Sequence, residues 1–96
     1  MAKVWKAEEW QDAAGFWHCN DVSNIGGGSA EWYIPARILG ISPAEFIKLL
    51  VNTYHPEKIS YDKDKCFIFY AWKNQNNMRI FKNFINAQAR KVNFQI

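Results

Sequence analysis

The chain has few of the groups that carry chemistry by themselves. Two cysteines and two histidines are spread over 96 residues. Cys19 and Cys66 are too few for a disulfide framework, and they read as reduced thiols of a cytoplasmic protein. The set His18, Cys19, His55 and Cys66 has neither C-x-x-C nor H-x-x-x-H spacing, so no metal site is expected. His18 and Cys19 are neighbours whose side chains diverge, which does not suit a nucleophile–base pair. No Walker loop or dinucleotide fingerprint occurs. The expectation is therefore a non-enzymatic protein with no cofactor and no catalytic residue.

Long apolar runs are also missing. The longest, Cys66 to Trp72, has seven residues, where a membrane span needs about twenty. Lys3, Lys6, Glu8, Glu9 and Asp12 break up the first twenty residues, which do not read as a secretory leader. No membrane partner is expected. Acidic residues are scarce in the second half only. Residues 58–96 carry eight Lys/Arg against two Asp/Glu, whereas residues 1–57 carry four against seven. Such a split suits solubility alone, an anionic partner for the basic half, or two faces that pair in a homodimer.

Aromatic residues are plentiful: five Trp, four Tyr and seven Phe. A domain of this size buries only part of so much ring surface. The remainder is expected at the surface or in an interface.

The local patterns predict one α+β domain spanning 1–96. Trp10, Ala13, Ala14 and Trp17 recur at helical spacing, so one short helix is expected within 4–17, with Glu8 and Glu9 at its start. Residues 20–30, rich in Gly, Asn and Ser, read as a loop. Residues 31–34 read as a short strand, because Pro35 pushes its predecessor out of the helical region. A single turn from Pro35 ends at Gly40.

The clearest element is a helix over about 43–54. Ser42 is its N-cap, Pro43 its first residue, and Glu45 completes an S-x-x-E capping box. Strands are expected within 58–72, turning at Asp62–Lys65. A C-terminal helix runs over about 76–91. The hairpin sheet should pack on both of these helices, with Phe46, Ile47, Leu50, Ile59, Phe67, Phe69, Phe81, Phe84 and Ile85 in the core. Phe94 and Ile96 form an apolar tail suited to packing back as a strand or against a neighbouring molecule.

On the C-terminal helix, Arg79, Lys82, Asn83, Asn86 and Arg90 fall on the side away from Met78, Phe81 and Ile85. This basic and amide stripe is free of acids. The candidate partner-binding residues are Arg79, Lys82, Asn86 and Arg90, with Trp5, Trp10, Trp17 and Trp32 as aromatic anchors. A protein partner fits this set best.

The alternative is nucleic acid, met by the C-terminal stripe or by a winged helix-turn-helix with the 62–65 turn as its wing. The helix after Gly40 argues against base reading. It exposes Glu45, Lys48, Asn52 and Thr53, with one cation among them.

The run WYIPARILGISPAEFIKLL, together with CFIFYAW and MRIFKNFINAQARK, resembles small accessory proteins of phages and mobile elements of Gram-positive bacteria. The resemblance covers about residues 32–92 and carries over no functional residue. It implies stoichiometric binding to another macromolecule, in some cases to block host machinery that handles nucleic acid.

Overall fold

A computed structural model describes residues 3–20, 33–64 and 67–95. The elements run in the order β1 (Glu8–Gln11), β2 (Trp17–Asn20), α1 (Tyr33–Leu39), α2 (Pro43–Leu49), a π-helical turn (Leu50–Tyr54), β3 (Lys58–Asp62), β4 (Phe67–Ala71) and α3 (Gln75–Lys91). Among the described residues, two antiparallel hairpins and three α-helices make a mixed α+β domain. None of the described helices is long and apolar enough to cross a membrane.

The first hairpin replaces the helix expected within 4–17. Asp12 decides this locally. Its Oδ1 accepts from the backbone N–H of Ala14 and of Phe16, both at 2.9 Å. Gly15, at φ +90°, takes the left-handed conformation that the turn needs. An Asp side chain that caps the following N–H groups competes with a helix at that point. The element order expected for a winged helix is therefore not formed at its first helix.

Tyr33 and Ile34, expected as the end of a strand, are the first residues of α1. Pro35 then lies in the first helical turn, where the N–H it lacks would have no intrahelical acceptor anyway. Gly40, at φ +67°, closes α1. Its N–H donates to Arg37 O at 3.2 Å, and that of Ile41 donates to Ala36 O at 3.1 Å, a complete Schellman motif. Two residues on, Ser42 Oγ accepts from Glu45 N at 3.2 Å, and Glu45 Oε1 accepts from Ser42 N at 3.3 Å. Both halves of the capping box are present.

The helix expected over 43–54 changes character at Leu50. His55 N donates to Leu50 O at 2.8 Å, a bond that spans five residues. His55 itself is left-handed, at φ 53°.

β3 and β4 pair in the register Ile59 with Tyr70 and Tyr61 with Ile68. Ile68, Tyr70 and Trp72 are buried, whereas Phe69 is half-buried on the other face. The core thus takes the even-numbered residues of β4, and Phe69 meets His18 of the first hairpin edge-on at 5.5 Å. The side chain of Phe67 lies outside the described residues. Phe46, Leu50, Phe81 and Ile85 are buried as expected, while Ile47, Ile59 and Phe84 are partly buried. Phe46, Tyr54, Tyr70, Trp72 and Phe81 form an aromatic cluster with centroid separations of 5.1–6.0 Å. Each such pair adds about 0.5–1.5 kcal/mol beyond its buried area. Trp72 also donates its indole N–H to Tyr54 O at 2.8 Å, which ties β4 to the π-turn.

The hairpins meet where Trp17 and Trp72 exchange backbone hydrogen bonds. α3 starts at Asn74, whose side chain caps Asn77 N. It ends in a second Schellman motif, with Asn93 left-handed at φ 53°. Asn93 N donates to Arg90 O and Phe94 N to Ala89 O. This reversal brings the tail back against the N-terminal segment. Phe94 O accepts from Trp5 N at 2.8 Å, and Val4 bridges Gln95.

Candidate functional site: the seam between the N-terminal segment and α3

The stripe on α3 faces the protein's own N-terminal segment. The match is a matter of pitch. Two residues of extended chain advance about 6.6 Å, and four residues of helix advance about 6 Å. Residues 9, 7 and 5 therefore pass residues 82, 86 and 90 in turn, with the two segments antiparallel.

Each of the first two levels pairs donors with acceptors. At the first, the Glu9 carboxylate accepts from Lys82 Nζ at 2.8 Å, from Arg79 Nη2 and Nε at 3.0 and 3.1 Å, and from Gln75 Nε2 at 3.1 Å. The Arg79 bonds, then the one from Lys82, hold Glu9 down at a pKa of about 2. At the second level, Asn86 Oδ1 accepts from Ala7 N at 2.7 Å and Asn86 Nδ2 donates to Ala7 O at 3.1 Å. Both residues are buried, so the amide stands in for a β-partner of Ala7.

The third level is different. Trp5 is 2% exposed, and its indole Nε1–H finds no acceptor among the described residues. Trp5, Val4, Lys6, Asn86 and Arg90 line a cavity of about 140 Å³. Lys6 and Arg90 are exposed, and neither makes an ion pair among the described residues. A second hollow of about 190 Å³ lies between Lys6, Ala7, Glu8, Glu9 and Lys82.

Of the residues singled out in the sequence, five converge here: Trp5, Arg79, Lys82, Asn86 and Arg90. Arg79 and Lys82 are engaged by Glu9, and Asn86 is a buried clip. Trp10 and Trp17 lie on the first hairpin, both half-buried. Trp10 stacks on His18 at 4.2 Å and donates its indole N–H to Asn20 Oδ1 at 2.9 Å. Trp32 and the 21–30 loop lie outside the described residues. The sequence reading missed Glu9 and Lys6. A signal for Glu9 existed: cations one turn apart on α3 have no acid on their own helix and must find one elsewhere.

The groups closest to catalytic types are held structurally. His18 is 1% exposed, with Nε2 2.8 Å from Asp12 Oδ2. A carboxylate only accepts, so Nε2 carries the proton. This bond from His18, and then the one from Phe16 N, lowers the Asp12 pKa. Cys19 is buried on the opposite face of β2. Among the described residues no group of three or more His, Cys, Asp or Glu side chains is placed to hold a metal ion.

Comparison with family models, with curated proteins and with solved structures finds no match for this chain.

Proposed function

We propose that this chain is a non-enzymatic binding protein that engages another macromolecule stoichiometrically through the seam of α3 and the N-terminal segment. The observation that carries this reading is the pair Lys6 and Arg90, two exposed cations that line one cavity and make no ion pair among the described residues. The seam positions the backbone between them through Ala7 and Asn86. A protein surface that presents acidic groups complements this rim. The resemblance to phage accessory proteins makes an inhibitor of host defence machinery one form such a binder takes. The buried state of His18 and Cys19 supports binding over catalysis.

The test is affinity capture from a host lysate with the native chain and with a Lys6→Glu, Arg90→Glu double variant. The reading expects a partner recovered at about equimolar amount and lost with the variant. Duplex and single-stranded oligonucleotides at two salt concentrations test the alternative. Tight binding that falls steeply with salt would replace the protein partner by nucleic acid.

A further inference from the structure

β3 is an edge strand. Among the described residues it pairs with β4 on one side and with no strand on the other. The register settles which of its peptide groups face each way. Trp72 and Trp17 exchange both of their backbone hydrogen bonds. The even-numbered residues of β4 therefore point their peptide groups toward β2, and the odd-numbered ones point theirs toward β3. Ala71, Phe69 and Phe67 thus bond to Lys58, Ser60 and Asp62. The N–H and C=O groups of Ile59 and Tyr61 point the other way, off the edge of the sheet. They have no hydrogen-bond partner among the described residues. Ser60 and Tyr61 are exposed, Tyr61 at 42%.

An open edge is a template for another strand, and the sequence of this one fits a second copy of itself. In Lys58-Ile59-Ser60-Tyr61-Asp62 the two ends carry opposite charges. An antiparallel pair centred on Ser60 sets Lys58 opposite Asp62 at both ends, and Ile59 opposite Tyr61. In that register Ile59 and Tyr61 are the hydrogen-bonded pair, so every outward N–H meets an outward C=O. A shift by two residues separates both charge pairs and leaves Ile59 or Tyr61 beyond the end of the facing strand. A parallel pair in register sets Lys58 beside Lys58 and Asp62 beside Asp62. Both charged groups also have neighbours in their own chain. Lys58 Nζ lies 4.6 Å from the centroid of Phe16, and Asp62 Oδ1 accepts from Asp64 N at 3.1 Å. The charges therefore select orientation and register, and main-chain hydrogen bonds hold the pair.

We propose that β3 is the interface of a homodimer, in which two copies pair antiparallel about a two-fold axis at Ser60. Their hairpins join into one sheet in the order β4-β3-β3-β4. This goes beyond the proposed binding function and uses no residue of the α3 seam. A strand pair this short buries less than a standard stable interface, so the dimer is reversible, with Kd on the order of 100 µM.

The experiment is sedimentation equilibrium on the full native chain from about 10 µM to about 1 mM, with amide solvent exchange followed by nuclear magnetic resonance at both ends of that range. The expected mass climbs toward twice that of one chain. The amides of Ile59 and Tyr61 exchange about fourfold more slowly at the higher concentration, as that Kd requires. The Ser60 amide, bonded within its own chain, changes little. Two variants test the register. Lys58→Glu sets like charges opposite each other in its own dimer, and so does Asp62→Lys. Each alone weakens the dimer at least fivefold. A mixture of the two restores it, because each variant offers the other an opposite charge at both ends. Circular dichroism shows whether each variant is folded, and the measurements on the native chain need neither. A mass that stays at one chain up to about 1 mM overturns the proposal and leaves the edge to a strand of another protein. So does a dimer in which the Ile59 and Tyr61 amides exchange as fast as in the monomer. Two folded variants whose mixture associates no better than either alone also overturn it.

Discussion

Replacing Asn86 by alanine tests the seam at its centre. Ala7 is 1% exposed, and both of its peptide groups are bound by Asn86 across the chain. Alanine leaves a buried N–H and a buried C=O without partners. Each such orphan costs about 1–3 kcal/mol, and some relief comes from water entering beside the cavity. The net loss is roughly 2–4 kcal/mol, a large part of the ~5–15 kcal/mol that holds a small domain together. At this size that lowers the melting temperature by roughly 10–25 °C. Urea unfolding followed by circular dichroism gives the free energy. Hydrogen exchange at the Ala7 amide gives the local effect, which is faster exchange out of proportion to the global change. A loss under about 0.5 kcal/mol, with the Ala7 amide still protected, would show that Asn86 does not hold the segment.

Other outcomes follow from the same contacts. Glu9 has its pKa lowered from 4.5 to about 2 in the folded state. Its contribution is full above the unfolded value of 4.5 and is lost as pH falls toward 2. Because its side chain is still 23% exposed, the contribution discounts to about 1–2 kcal/mol. Glu9→Gln should flatten the stability profile between those two pH values, and an unchanged profile would remove Glu9 from the account. Gly40→Ala has no atom within 4 Å of the added carbon, so its cost is only that of the left-handed backbone, about 1 kcal/mol by thermal unfolding. Gly40→Asn should cost less. Ser42→Ala removes the capping-box acceptor and costs about 1 kcal/mol, read as a lower urea midpoint. Cys19 should react with a thiol reagent only after global unfolding, so prompt labelling of Cys19 in the native protein would contradict its buried placement.

Where one residue type has one use at its spacing, the sequence was a sufficient guide. Gly40, Ser42 and Glu45 define the bend between α1 and α2, and the structure contains all of their hydrogen bonds. β4 was harder because Phe67 to Trp72 is apolar on both faces, so alternation cannot choose the core side. Pairing of Tyr70 with Ile59 and the Trp17 bridge to Trp72 choose it. The N-terminal hairpin was misread because Trp10, Ala13, Ala14 and Trp17 fit a helical period over a segment that Asp12 and Gly15 fold into a turn. The α3 stripe was legible as a stripe but not in direction. Its partner is an extended segment some eighty positions away, and only the tertiary fold brings residues 5, 7 and 9 alongside it.

On the proposed function the α3 stripe is divided: Arg79 and Lys82 are held within the fold by Glu9, whereas Arg90, with Lys6, is proposed to meet the partner. The most direct test is titration of the captured partner against Arg79→Ala and Arg90→Ala. The account predicts at least a tenfold loss of affinity for Arg90→Ala and a change under about twofold for Arg79→Ala, which instead loses stability. Equal losses, or the larger loss at Arg79, would contradict it.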